Sequence, residues 1–110
     1  MDKLSITLAP KSLYLKSLRL FTASLASDIG FDIEAVEDLR VVVSEAVNYK
    51  LTDTDVVINY TVEEKALTIE VVGKDKDLDE RALKMRDLIL QELADEVNIG
   101  EDSITITKRA

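Results

Sequence analysis

DIEAVEDLRVVVSEAVNYKL, running from Asp32 to Leu51, is the stretch that decides how this chain folds. Val36, Leu39, Val43 and Val47 recur at the spacing of a helix with one buried face, while Glu34, Glu37, Asp38 and Arg40 sit mostly off that stripe. The run Val41-Val42-Val43 favours a strand locally, because β-branched side chains are stiff in a helix, but the longer 3.6-residue period outweighs it. Asp32 has the chemistry of an N-cap: its carboxylate can accept from amides that lack partners inside the helix. Phe31 and Val36 then stand at the N′ and N4 positions of a hydrophobic staple. Gly30, able to take a left-handed conformation cheaply, ends whatever helix comes before.

Working outward, Tyr14, Leu18, Phe21 and Leu25 form one stripe of an earlier helix that starts near Lys11. Ahead of it Leu4, Ile6 and Leu8 alternate with Ser5 and Thr7, the period of a half-buried strand ending at Pro10. Beyond Thr52-Asp53-Thr54, the runs Val56/Ile58/Tyr60/Val62 and Leu67/Ile69/Val71, joined by Glu63-Glu64-Lys65, predict a hairpin. Asp77 with Glu80 predicts the capped start of a third helix near Leu78. Its buried face is expected at Ala82, Met85, Ile89 and Leu93, flanked by Leu90 and Val97. Glu96 to Ile99 and Ser103 to Lys108 read as a last hairpin turning at Gly100-Glu101-Asp102, with Ile104 and Ile106 inward. The order is β-α-α-β-β-α-β-β. Each alternating strand has a polar face of Thr, Ser and Asn, so the fold class is α+β. The expectation is a two-layer α/β sandwich: a mostly antiparallel mixed sheet, wet on one face and covered by three helices on the other.

The chain has 110 residues, with one proline and three glycines, which suits a single domain over residues 1–110. With no cysteine and no histidine, disulfides, thiolate metal sites and the commonest general base are excluded. No segment approaches the roughly 20 apolar residues of a membrane span, and MDKLSITLAP lacks the apolar region of a signal peptide, so a cytoplasmic location is expected. Twenty-two acidic against 14 basic residues give a net charge of −8. That balance repels nucleic acid and anionic membrane and favours basic protein partners, although solubility alone also accounts for it.

The segment FDIEAVEDLRVVVSEAVNYKL resembles the N-box helix of the GHKL, or histidine-kinase-like, ATPase superfamily, whose ATP-binding fold is also called the Bergerat fold. Within it the resemblance is to the anti-sigma-factor serine kinases of bacterial sporulation and stress response. FTASLASDIGFDIEAVEDLRVVVSEA and the later LADEVNI, followed by a short Thr/Ile strand, extend the similarity over nearly the whole chain. In that family the helix reads approximately S-E-A-x-x-N. The resemblance implies that the Glu activates the attacking hydroxyl and that the Asn coordinates the magnesium bridging the nucleotide phosphates.

Ser44, Glu45 and Ala46 match that pattern, but Tyr49 stands four residues after Glu45 and the nearby Asn48 only three after it. At ~100° per helical position, Asn48 points well away from the family's Asn. The family's D-x-G-x-G strand end, which reads adenine, is also broken: Gly73 is present, but Val71 stands where the Asp belongs and Asp75 where the second glycine belongs. No glycine occurs between Gly73 and Gly100, and the few residues before the third helix leave no length for a lid over the phosphates.

The resemblance therefore implies a shortened relative lacking the ATP lid, a non-catalytic regulatory domain with no cofactor. Its expected partner is a protein, a sigma factor or an STAS-type antagonist, or a second copy in a homodimer. No nucleic acid or membrane partner is expected. The outward residues of Lys11 to Ser27, including Lys16 and Arg19, are where the resemblance places partner contacts. The alternative is an ATP-dependent serine-protein kinase with Glu45 as base and Asn48 as a shifted magnesium ligand, with Gly73 beside the nucleotide. A third reading is an oligomerising module joined through the edge strand Leu4 to Leu8.

Overall fold

A computed structural model describes all residues, 1–110. Five strands, β1 (Asp2–Leu8), β2 (Val56–Glu63), β3 (Ala66–Val72), β4 (Glu96–Ile99) and β5 (Ser103–Arg109), form one sheet in the order β1-β2-β3-β5-β4. Every neighbouring pair is antiparallel, so the parallel component implied by a mixed sheet is absent. Helices α1 (Leu15–Asp28), α2 (Ile33–Asn48) and α3 (Glu80–Leu93) cover one face, and a 3₁₀ turn at Ser12–Tyr14 leads into α1.

The cap of α2 forms as its sequence demands: the Ala35 amide donates to the Asp32 carboxylate at 2.8 Å. Leu39, Val42, Val43, Ala46 and Val47 are buried, and Phe31 is buried at the helix entry. They meet Val56, Ile58 and Tyr60 of β2, Leu67, Ile69 and Val71 of β3, and Ile104 and Ile106 of β5 in one core. The opposite sheet face carries a polar row in which Ser5 donates to Asn59 at 2.7 Å and Asn59 donates to Glu70 at 2.9 Å.

Two helices are rotated from their expected faces. In α1 the fully buried line is Leu15, Leu18, Thr22 and Ala26; the expected Phe21 and Leu25 pack half-buried against the core, and Tyr14 is 39% exposed in the 3₁₀ turn. Thr22 belongs to that line because its hydroxyl hydrogen-bonds the buried Tyr60 hydroxyl at 2.6 Å. A period search over apolar residues passes over such a threonine.

The start of α3 lies two residues later than expected. Asp79, not Asp77, is the cap, its carboxylate accepting from the Ala82 amide at 2.8 Å. The fully buried positions are Arg86 and Leu90, whereas Met85, placed inward by the apolar pattern, is exposed. Lys108 of β5 closes the other end of α3, donating to the Leu93 carbonyl at 2.8 Å and lying 3.3 Å from Asp38 of α2. A cation there complements the carbonyl end of the helix.

Candidate functional site

The end of α2, the end of β3 and the middle of α3 converge on one cluster of charge. Lys50 directly follows the C-cap Tyr49, and its Nζ donates to the Gly73 carbonyl at 2.7 Å and to Asp75 Oδ1 at 2.9 Å. Arg86 donates to the same Asp75 oxygen from Nη1 at 2.7 Å, and from Nε to Asp87 at 2.9 Å. The side chains of Lys50 and Arg86 are 0% and 2% exposed. The Arg86 guanidinium also lies over the Tyr49 ring, 5.7 Å from its centre. The backbone completes the join: the Lys76 amide donates to the Tyr49 carbonyl at 2.7 Å, and the Gly73 amide to the Asp102 backbone carbonyl at 2.8 Å.

Two buried cations are therefore balanced by two carboxylates at the edge of the core, and leaving either cation unpaired would be expensive. Burial by itself raises the Asp75 pKa, but hydrogen bonds from Arg86 and Lys50 and their positive charges outweigh it and bring the carboxyl below its ordinary value. Burial works against the Arg86 charge, and Asp75 and Asp87 more than offset it. No buried side-chain nitrogen or oxygen is left without a hydrogen-bond partner.

The three residues suggested by sequence lie apart. Glu45, partly exposed, lines a groove of about 300 Å³ between α1 and α2 with Arg19, Glu37, Arg40, Val41 and Ser44. Arg19 donates to the Ser44 hydroxyl there at 3.3 Å. Asn48, the last residue of α2, is exposed and does not line that groove. Gly73 belongs to the charged junction through its carbonyl. No group of three acidic side chains is placed to hold a metal ion. Lys16 is exposed on α1, and no helix is long and apolar enough to cross a membrane.

Sequence reasoning passed over Lys50, Arg86 and the role of Asp75. A signal was available for Arg86: it sits three residues after Leu83 and four before Leu90, in the middle of an apolar stripe.

No family model matches the chain. The serine-protein kinase RsbW of Listeria monocytogenes is 31% identical over 108 residues, covering 90% of this chain and 69% of the relative. The protein of the same name from Listeria innocua matches with the same identity and coverage. The chain belongs to the RsbW family of serine-protein kinases. A crystal structure of the RsbU and RsbW domains of Rv1364c from Mycobacterium tuberculosis has the same fold, with a TM-score of 0.74 at 20% identity over 99% of this chain. The present chain spans 32% of that longer one. Membership of the RsbW family accounts for the order of elements, while the junction at Asp75 is described by this chain's own side chains.

Proposed function

We propose that this chain is a non-catalytic regulatory member of the RsbW family that acts by binding a protein, a sigma factor or an STAS-type antagonist. The observation that carries this reading is the seat of Asp75 between Lys50 and Arg86. In the GHKL ATPases the nucleotide is gripped by the N-box helix, the strand-end motif and the lid before the last helix. The corresponding pieces of this chain are tied together by its own ions: Lys50 after α2, Gly73 after β3, Asp75 in the connection, and Arg86 on α3.

On this reading a magnesium nucleotide does not fit. Asp75 takes the place of an anion between the two cations, and Tyr49, a poor magnesium ligand, is stacked under Arg86. Glu45 faces the α1 groove while Asn48 points to solvent. Only residues 73–79 separate β3 from α3, too short a stretch to fold over phosphates, and its one glycine, Gly73, gives its carbonyl to Lys50. What the RsbW frame leaves available is surface: an acidic molecule with a partly open groove at Arg19, Arg40 and Glu45.

One observation favours the second reading, a kinase with a shifted magnesium ligand. The last turn of α2 tightens, the Lys50 amide reaching the Val47 carbonyl at 2.8 Å, as local overwinding near Asn48 would require.

The two readings separate in one mixture of the chain, an STAS-domain protein, a sigma factor and Mg-ATP labelled at the γ-phosphate. Co-elution of a complex without label on the STAS protein is expected. Label transferred to a serine of that protein overturns the proposal.

A further inference from the structure

Given a junction closed by the chain's own charges, on which the proposed function rests, we propose that Lys50 and Arg86 form a carboxylate-binding seat. Asp75 is its replaceable internal ligand, and a carboxylate from outside the chain exchanges with it. The ground for this is the donors that Asp75 leaves unused. Both cations converge on a single oxygen, Lys50 Nζ at 2.9 Å and Arg86 Nη1 at 2.7 Å from Asp75 Oδ1. Arg86 Nε is taken by Asp87 at 2.9 Å, and Nη2 makes no hydrogen bond within the chain. Because no buried side-chain nitrogen lacks a partner, Nη2 reaches solvent.

A guanidinium and a carboxylate pair best through two parallel bonds, one from each of two nitrogens. Asp75 makes one of the two. An unattached carboxylate approaching from the Nη2 side can make both and still receive Lys50. Charge stays balanced through the exchange: the newcomer neutralises the cations, and Asp75 passes into water.

The internal ligand is lightly held. The Asp75 side chain is 21% exposed, against 0% and 2% for its two cations. Leu78, the only apolar side chain between β3 and α3, is 39% exposed and gives the connection little anchorage. Apart from the charged contacts, residues 74–78 are tied to the rest of the chain by one backbone bond, from the Lys76 amide to the Tyr49 carbonyl. A free organic acid and an Asp or Glu side chain of a protein partner share the chemistry that this seat recognises.

Asp75→Ala vacates the seat, and acetate is the probe. Urea unfolding is followed at neutral pH as sodium acetate replaces sodium chloride at constant ionic strength. The stability of the variant is expected to rise with the logarithm of acetate concentration above a roughly millimolar dissociation constant, the scale for so small an anion. In the native chain the tethered Asp75 competes, so at least about tenfold more acetate is needed. Should the variant be unfolded in chloride, acetate is expected to refold it. Arg86→Lys in the Asp75→Ala background keeps the charge without the fork and should weaken acetate binding by roughly tenfold or more. A short glutamate peptide in place of acetate separates the two sources: tighter binding assigns a protein side chain, and equal or weaker binding a free acid. The proposal is overturned by an Asp75→Ala chain that ignores acetate, by an equal response of the native chain, or by indifference to Arg86→Lys. A response to phosphate that exceeds the response to acetate, each taken relative to the native chain, overturns it as well. All these outcomes leave the nucleotide question to Mg-ATP titration of the native chain, so the two readings fail separately.

Discussion

Arg86, buried in the middle of α3, donates at 2.7 Å to the Asp75 oxygen that also receives Lys50, so one carboxylate oxygen joins the last helix to the end of α2. Removing that carboxylate leaves two buried cations with Asp87 as their only remaining acid. Asp75→Asn is expected to lower unfolding stability by about 3 kcal/mol, the scale for breaking one side of a buried ion pair. Urea denaturation near neutral pH measures it, and a loss within about 0.5 kcal/mol, the scale of ordinary surface substitutions, would refute it.

The same contact gives a sign for acid. The Asp75 pKa is depressed in the folded chain, so the folded state holds this proton less readily than the unfolded one. Its stabilisation is complete above about pH 4, where the unfolded carboxyl is ionised, and is lost as the pH falls through the lower folded value. The stability difference between the native sequence and Asp75→Asn should therefore shrink on going from neutral pH to about pH 3. An undiminished difference would contradict the geometry.

Tyr60 sets the alkaline limit. Burial pushes its phenol up to about 12, and the hydrogen bond with Thr22 only partly opposes this. A group whose folded pKa is raised leaves stability intact below its unfolded value, about 10, and withdraws it as the pH climbs toward the folded one, here by roughly 2–3 kcal/mol. Phenolate absorbance should show a late step near pH 12 that disappears in Tyr60→Phe. The same substitution strands the Thr22 hydroxyl and is expected to cost about 1–3 kcal/mol near neutral pH.

Much of the fold is legible from local chemistry. Asp32, Phe31 and Val36 mark the start of α2 because a cap and its staple are short-range devices, and the β2–β3 hairpin follows from strict alternation across Glu64-Lys65. What escapes is decided by partners distant in sequence. Arg86 is inward because Asp75 and Asp87 neutralise it, and Thr22 because Tyr60 receives it. A pattern that counts apolar residues turns α3 toward Met85 instead. Glu45 and Asn48 are legible as a likeness to the family's helix, whereas the junction of Lys50, Asp75 and Arg86 is set by partners distant in sequence.

The cap of α3 shows the same limit at short range. Asp77 and Asp79 offer identical chemistry, and only the latter reaches an α3 amide. Asp79→Ala should cost about 1 kcal/mol and Asp77→Ala a few tenths at most. Thermal melts of the two variants check this, and equal losses would place the helix start elsewhere.

Lys65 takes φ 63° in the tight β2–β3 turn, a left-handed conformation that is costly for a residue with a long side chain. Lys65→Asn, which tolerates that region better, is expected to stabilise the chain by roughly 0.5 kcal/mol. Chemical denaturation of the variant should show the gain; a loss would mean that the lysine side chain has a use at that turn.

On the proposed reading, the junction of α2, β3 and α3, closed by Lys50, Asp75 and Arg86, takes no nucleotide. Calorimetric titration of the chain with Mg-ATP tests it most directly. The prediction is no binding heat at millimolar nucleotide. Micromolar binding that Glu45→Ala abolishes would contradict it and establish the kinase reading in its place.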